Sequence, residues 1–184
     1  MPVDTTTLIW LFPIAFMVHD FEELILSDAW LGKNASQMKV LIRARFPAAA
    51  AGRMCAVMDK SAAELAVPVS LIFLTTCVAT FGAAVYRQYG FFVLASELFF
   101  LHAFMHIGQA IALRRYVPAV LTSILIIVPY GLILFPHLIA ERIVDAPTLL
   151  IDEGISVVVA MPFILVMHEI GSFLYRRLTG LLIR

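Results

Sequence analysis

Ionisable side chains interrupt three apolar stretches of this sequence. They are His19, Glu22 and Glu23, then His102 and His106, then His168 and Glu169. An ionisable group in the hydrocarbon core of a bilayer costs roughly 3 kcal/mol, so these groups need polar partners. Imidazole and carboxylate are ligands of zinc, iron and manganese, and one shared ion would satisfy several of them together. The sequence therefore predicts a divalent metal site with all these residues as candidate ligands.

Helical spacing places the first group of candidates on one face. In the HDFEE segment, residues three and four positions apart are neighbours, so Glu22 and Glu23 both lie beside His19. Asp20 points about 60° away from Glu23, which makes it a candidate for supporting a ligand rather than binding the ion. One of the two glutamates, if it does not bind the ion, is the candidate general base.

The other two groups follow the same geometry. His102 and His106 are four residues apart and face the same way, and Gln109 continues their stripe as a residue that could orient a ligand. His168 and Glu169 are adjacent and point about 100° apart, so one of them is enough as a direct ligand. Both could still border a common pocket.

Three histidines share one predicted depth. Each precedes the charged end of its apolar stretch by eight or nine residues: His19 before Asp28, His106 before Arg114, and His168 before Arg176. A rise of 1.5 Å per residue puts all three roughly 12 Å from that boundary. A single buried histidine is more often bonded to a backbone carbonyl, but the agreement among three favours one shared site. Glu97 faces away from His106 and is not a candidate ligand.

The composition predicts the elements that carry these groups. The chain has 184 residues, of which 62% are hydrophobic and 14% charged, well below the roughly one quarter charged residues of soluble domains. We predict an all-α, polytopic membrane protein, a five-helix transmembrane bundle forming one domain over residues 1–184. The expected spans are about 6–27, 62–86, 89–113, 116–141 and 147–175. The net charge of +0 gives no reason to expect nucleic acid as a partner.

Basic residues predict the orientation. The 28–61 connection mixes six Lys or Arg with apolar residues, which indicates an amphipathic helix on the membrane surface; a solvated loop is the alternative. With five spans, one side of the membrane carries eleven Lys or Arg and the other side two. The positive-inside rule then places the N-terminus outside, and the 28–61 connection and the C-terminus in the cytoplasm.

Several motifs together resemble those of the HXXEE-motif family of small bacterial integral membrane proteins. The HDFEE segment matches the family motif, and His102 or His106 in HAFMH is similar to the family's further histidine. Tyr116-Val117-Pro118-Ala119 is similar to its YxPG element, with Ala119 in place of glycine. The resemblance covers roughly the first four spans and implies a bacterial inner membrane, but no particular activity. We add Tyr116 to Asp20 and Gln109 as residues expected to support the site.

Two classes of function fit these features best. The first is a metal-dependent enzyme, a hydrolase or a di-iron-type oxidase, that holds one or two ions and receives a lipophilic substrate from the bilayer. The second is a transporter of protons or divalent metal that uses the same groups as a relay. A bis-histidine haem holder and a purely structural polar core are further alternatives. No HExxH, GxSxG or phosphate-binding loop is present.

Overall fold

The computed structural model describes residues 4–182 as a set of helices with short connections. They are α1 (Thr5–Arg45), α2 (Ala48–Val57), α3 (Ala62–Tyr86), α4 (Tyr89–Leu113), α5 (Val120–Thr122), a π-helical turn (Ser123–Ile127), α6 (Val128–Ala140) and α7 (Ala146–Leu182). No strand occurs within residues 4–182, and the all-α prediction is confirmed.

Four of the described segments are long and apolar enough to cross a membrane. They are Ala62–Tyr86, Tyr89–Leu113, Val120–Ala140 and Ala146–Leu182. The first two have the predicted bounds, whereas the last extends past the predicted end at residue 175. The predicted span 6–27 is not among the four, and it contains three acidic residues close together, Asp20, Glu22 and Glu23. The five-span count and the orientation therefore stay predictions.

Helix α1 is longer than the span that the sequence predicts within it. Asp4 caps its start by accepting from the backbone N–H of Thr7 at 2.9 Å. The helix then passes residue 27 without a break and ends at Arg45, just before Pro47. The first predicted span and half of the predicted connection are thus one continuous helix.

The second half of α1 pairs with α2, and we name residues 28–60 the α1–α2 hairpin. Lys39 forms an ion pair with Asp59, and Cys55 packs with Ile42 in a small apolar cluster between the two helices. The backbone N–H of Ala62 donates to the Asp28 carboxylate at 2.9 Å, so α3 begins beside Asp28. The hairpin therefore extends about 25 Å along α1 beyond the start of α3.

An aromatic core holds α1 against α4 and the Val120–Ala140 segment. The ring of Phe12 is completely buried, with its centroid 5.5 Å from Phe92, 5.9 Å from Phe99 and 6.5 Å from Tyr130. The ring of His19 contacts Phe99 edge to face at 5.2 Å. The core thus ends at His19 and fixes its position against α4.

Helix α7 packs through small side chains. Its buried residues are Ser156, Ala160, Gly171 and Ser172. It contacts α3 and α4, and a Cβ atom on Gly171 would lie only 2.7 Å from the backbone nitrogen of Pro68 in α3. The backbones of α3 and α7 therefore meet closely at Gly171, as membrane helices do at small residues.

Candidate metal centre

Four of the predicted ligands converge between α1 and α4. His19, Glu23, His102 and His106 each offer one ligand atom, and these atoms all lie within 4.8 Å of one another. The Nε2 atoms of His102 and His106 are 2.9 Å apart, and Glu23 Oε2 lies 3.9 Å and 3.8 Å from them. Three imidazoles and a carboxylate are a common ligand set for zinc and iron, so this His/Glu group could hold a metal ion.

Hydrogen bonding at His19 leaves one nitrogen for a ligand. His19 is completely buried, and its Nδ1 lies 3.1 Å from Thr122 Oγ1. Because the Thr122 hydroxyl donates to the Ala119 carbonyl at 3.2 Å, it accepts from His19 Nδ1–H. His19 Nε2 then carries a lone pair and has no hydrogen-bond partner among the described residues. A metal ion would satisfy this nitrogen, and Thr122 would fix the ring as outer partners of metal-bound histidines do.

Glu22 is turned toward the start of the Val120–Ala140 segment instead. Its carboxylate accepts from the Tyr116 hydroxyl and from the backbone N–H groups of Leu121 and Thr122, at 3.3 and 2.7 Å. Negative charge at these free N–H groups stabilises a helix start. Burial, followed by the bond to Glu22, raises the pKa of the Tyr116 hydroxyl, which therefore stays protonated and donates. The two glutamates of the motif thus have different partners.

The predicted ligands of α7 are placed apart from the His/Glu group. Glu169 is largely exposed, and its carboxylate lies 3.8 Å from Arg53 Nε. His168 lies closer to the His/Glu group than Glu169 does. Its side chain lines a cavity that also borders His102 and His106. Its Nδ1 has no hydrogen-bond partner among the described residues, and its backbone carbonyl accepts from Lys60 Nζ at 3.1 Å. The structure therefore does not bring Glu169 to the group and leaves His168 at the edge of the cavity.

The predicted supporting residues lie around the same cavity or beside it. Asp20 and Gln109 both line it, and Asp20 Oδ2 is buried without a hydrogen-bond partner in the part of the chain described. Tyr116 donates to Glu22 rather than to a member of the His/Glu group. Thr122 is the residue that sequence reasoning missed, and only its place just after the Tyr116–Ala119 element could have pointed to it.

The cavity has a volume of about 480 Å³ and mostly apolar walls. Residues from α1, α2, α3, α4 and α7 form these walls. Five methionines contribute to them: Met38, Met54, Met58, Met105 and Met161. The His/Glu group therefore borders an apolar space through Glu23, His102 and His106.

Ala119 has a backbone conformation that side chains disfavour. Its φ is 67° and ψ −1°, in the left-handed region, and its side chain is completely buried. This conformation costs an L-residue about 1–2 kcal/mol, and more for a β-branched residue. The position is the one at which the YxPG element has glycine, so a need for left-handed backbone explains that glycine.

We expect Ala119→Val to lower the free energy of unfolding by more than about 2 kcal/mol, because a branched side chain adds crowding to the unfavourable φ. Ala119→Gly is the matched control and should stay within about 1 kcal/mol of the parent, since relief of φ offsets the lost methyl group. Thermal unfolding of the purified protein in detergent measures both variants. Equal destabilisation by Gly and Val would contradict the assigned conformation.

The fold and the site together define a helical protein of membrane type with a His/Glu group that could hold a metal ion. A family model described as "Protein of unknown function with HXXEE motif" matches residues 10–134. The chain belongs to this family, and the resemblance inferred from its motifs is confirmed. The matched range contains the whole His/Glu group together with Tyr116 and Thr122, whereas His168 and Glu169 lie outside it. Neither the curated proteins nor the solved structures include a match to this chain.

Proposed function

We propose that this protein is a metal-dependent membrane enzyme, a hydrolase or an oxidase, that acts on a lipophilic substrate. One observation carries the proposal: the His/Glu group borders a largely apolar cavity of about 480 Å³. Binding sites for small molecules are typically apolar cavities of about 300–1,000 Å³ with a few placed polar groups. A substrate with an apolar body would fill the cavity, contact its walls and present its reacting atoms to the histidines.

The residues divide into distinct roles in this proposal. His19, His102 and His106 would hold the ion, and the metal would supply Lewis-acid or redox chemistry when bound. Glu23 would act as fourth ligand or as general base, because its carboxylate is not held by other donors as that of Glu22 is. Four ligand atoms within 4.8 Å of one another favour one ion over two.

A second candidate function, transport of protons or divalent metal, is favoured by buried polar groups elsewhere in the bundle. Thr80, Glu97 and Ser156 each have a buried side-chain oxygen with no hydrogen-bond partner among residues 4–182. Glu97 precedes His106 by nine residues, about 13 Å along α4, so polar groups occur at more than one depth. Protein-dependent proton or metal flux into liposomes, lost in Glu97→Gln, would favour transport over the enzyme.

Metal analysis of purified protein tests the enzyme proposal. We expect close to one equivalent of zinc, iron or manganese per chain after purification without chelator and without a metal-affinity column. Zinc would direct the search to hydrolysis and iron to oxidation. Protein that contains no metal, and takes none up from a buffered series of these ions, would overturn the proposal.

A further inference from the structure

The cavity beside the His/Glu group is elongated along α1. Its lining residues on α1 run from Asp20 to Arg45 at spacings of one, three and seven residues, so they form one face of the helix. That face is about 38 Å long. The lining on α4 runs only from His102 to Leu113, about 16 Å, so the cavity continues past α4 under the α1–α2 hairpin.

The chemistry of the walls changes from one end of the cavity to the other. Asp20, Glu23 and the histidines lie at one end, and Arg45 lines the other. The Arg45 guanidinium has no carboxylate within 4.0 Å among the described residues. The hairpin that carries it contains six basic and two acidic residues, so this end of the cavity attracts an anion.

The walls between these ends suit a flexible apolar chain. They are mainly aliphatic, and their five methionines are unbranched side chains that adapt to irregular partners. A volume of about 480 Å³ lies near the low end for a whole ligand, which favours one chain over two.

We propose that this cavity binds a single-chain anionic amphiphile, a long-chain fatty acid or its equivalent, with the anionic group at Arg45 and the chain directed to the His/Glu group. The inference deepens the proposed function and rests on it where it names the substrate. It has a chemical consequence: the atoms nearest the metal ligands belong to the apolar chain rather than to the headgroup. Hydrolysis at the headgroup fits this orientation less well, because the headgroup lies at the end of the cavity opposite the metal ligands.

Binding of oleate and of oleyl alcohol to the full chain in zwitterionic nanodiscs tests the charge at Arg45. We expect oleate to bind at least tenfold more tightly than the neutral alcohol. Arg45→Gln should weaken the binding of oleate by about that factor, so that the two ligands bind alike. Arg43→Gln is the matched control, because Arg43 is exposed on the same turn and does not line the cavity. Equal binding of both ligands to the parent protein, or an equal effect of the two variants, would overturn the proposal.

A photoreactive fatty acid with its diazirine at the methyl end tests the direction of the chain. We expect crosslinks, mapped by mass spectrometry, on residues 102–109 and 161–168. Crosslinks confined to the α1–α2 hairpin would mean the reverse direction, and saturable binding of diacyl lipid instead would mean a different occupant; either result overturns the proposal. Metal content is measured on the same samples. Loss of oleate binding with metal retained rejects this inference alone, whereas absence of metal rejects the proposed function.

Discussion

Glu23→Gln should weaken metal binding by at least about 100-fold, because even residues that only orient a ligand are worth 10- to 100-fold in affinity. The carboxylate of Glu23 lies 3.8 Å from His106 Nε2 and is the one anionic member of the His/Glu group. An uncharged amide of the same size keeps the packing but is a much weaker ligand. Metal equivalents after dialysis against a buffered metal solution measure the change.

Glu22→Gln is the matched control, since it makes the same chemical change at the neighbouring position. It should retain the metal and lower the free energy of unfolding by about 1–3 kcal/mol, the range for hydrogen bonds to charged groups. The lost charge weakens the bonds from Tyr116, Leu121 and Thr122 at the start of the Val120–Ala140 segment. Equal loss of metal in both variants would show that the glutamates do not have the separate partners described.

The sequence predicts the parts of this fold that depend on local apolar length. The bounds of α3 and α4 follow from two apolar stretches with short polar breaks between them. The common depth of His19 and His106 follows from helical rise in spans that run the same way, but the same argument also placed His168 in the group, and the structure leaves it apart. These inferences need no knowledge of which helix packs against which.

Other features depend on packing between distant segments and could not be predicted. Glu22 and Glu23 both lie beside His19 on an isolated helix, so local geometry does not distinguish them. The residues that separate them are Tyr116 and Thr122, about a hundred positions away, which bind Glu22. The same holds for the second half of α1, where Ile42 packs against Ala51 and Cys55 of α2.

The site also depends on how firmly α7 is attached to the bundle. One wall of the cavity comes from α7. It is formed by Met161, Ile164, Leu165 and His168. Most large side chains of α7 are exposed on the surface of the bundle, and its contacts to α3 and α4 rely on small residues. Between membrane helices, contacts of this kind are held by close van der Waals packing. They are therefore sensitive to one added methyl group.

Gly171→Ala should therefore lower the free energy of unfolding by about 2–3 kcal/mol, the cost of forcing extra volume into a packed contact. The added Cβ would lie 2.7 Å from the Pro68 backbone nitrogen, and a backbone atom cannot move aside as the end of a flexible side chain can. Thermal unfolding in detergent measures the loss. Binding of the oleate probe should weaken in the same variant, because the α7 wall of the cavity moves with the helix.

Gly154→Ala, in the same helix, is the control for this prediction. Nothing lies within 4 Å of a Cβ atom at Gly154, so the substitution should raise helix stability by up to about 1 kcal/mol, the ordinary difference between glycine and alanine. The two variants thus make the same change with opposite expected signs. Stabilisation by both would mean that α3 and α7 do not meet at Gly171, and the cavity would then lack the wall that His168 belongs to.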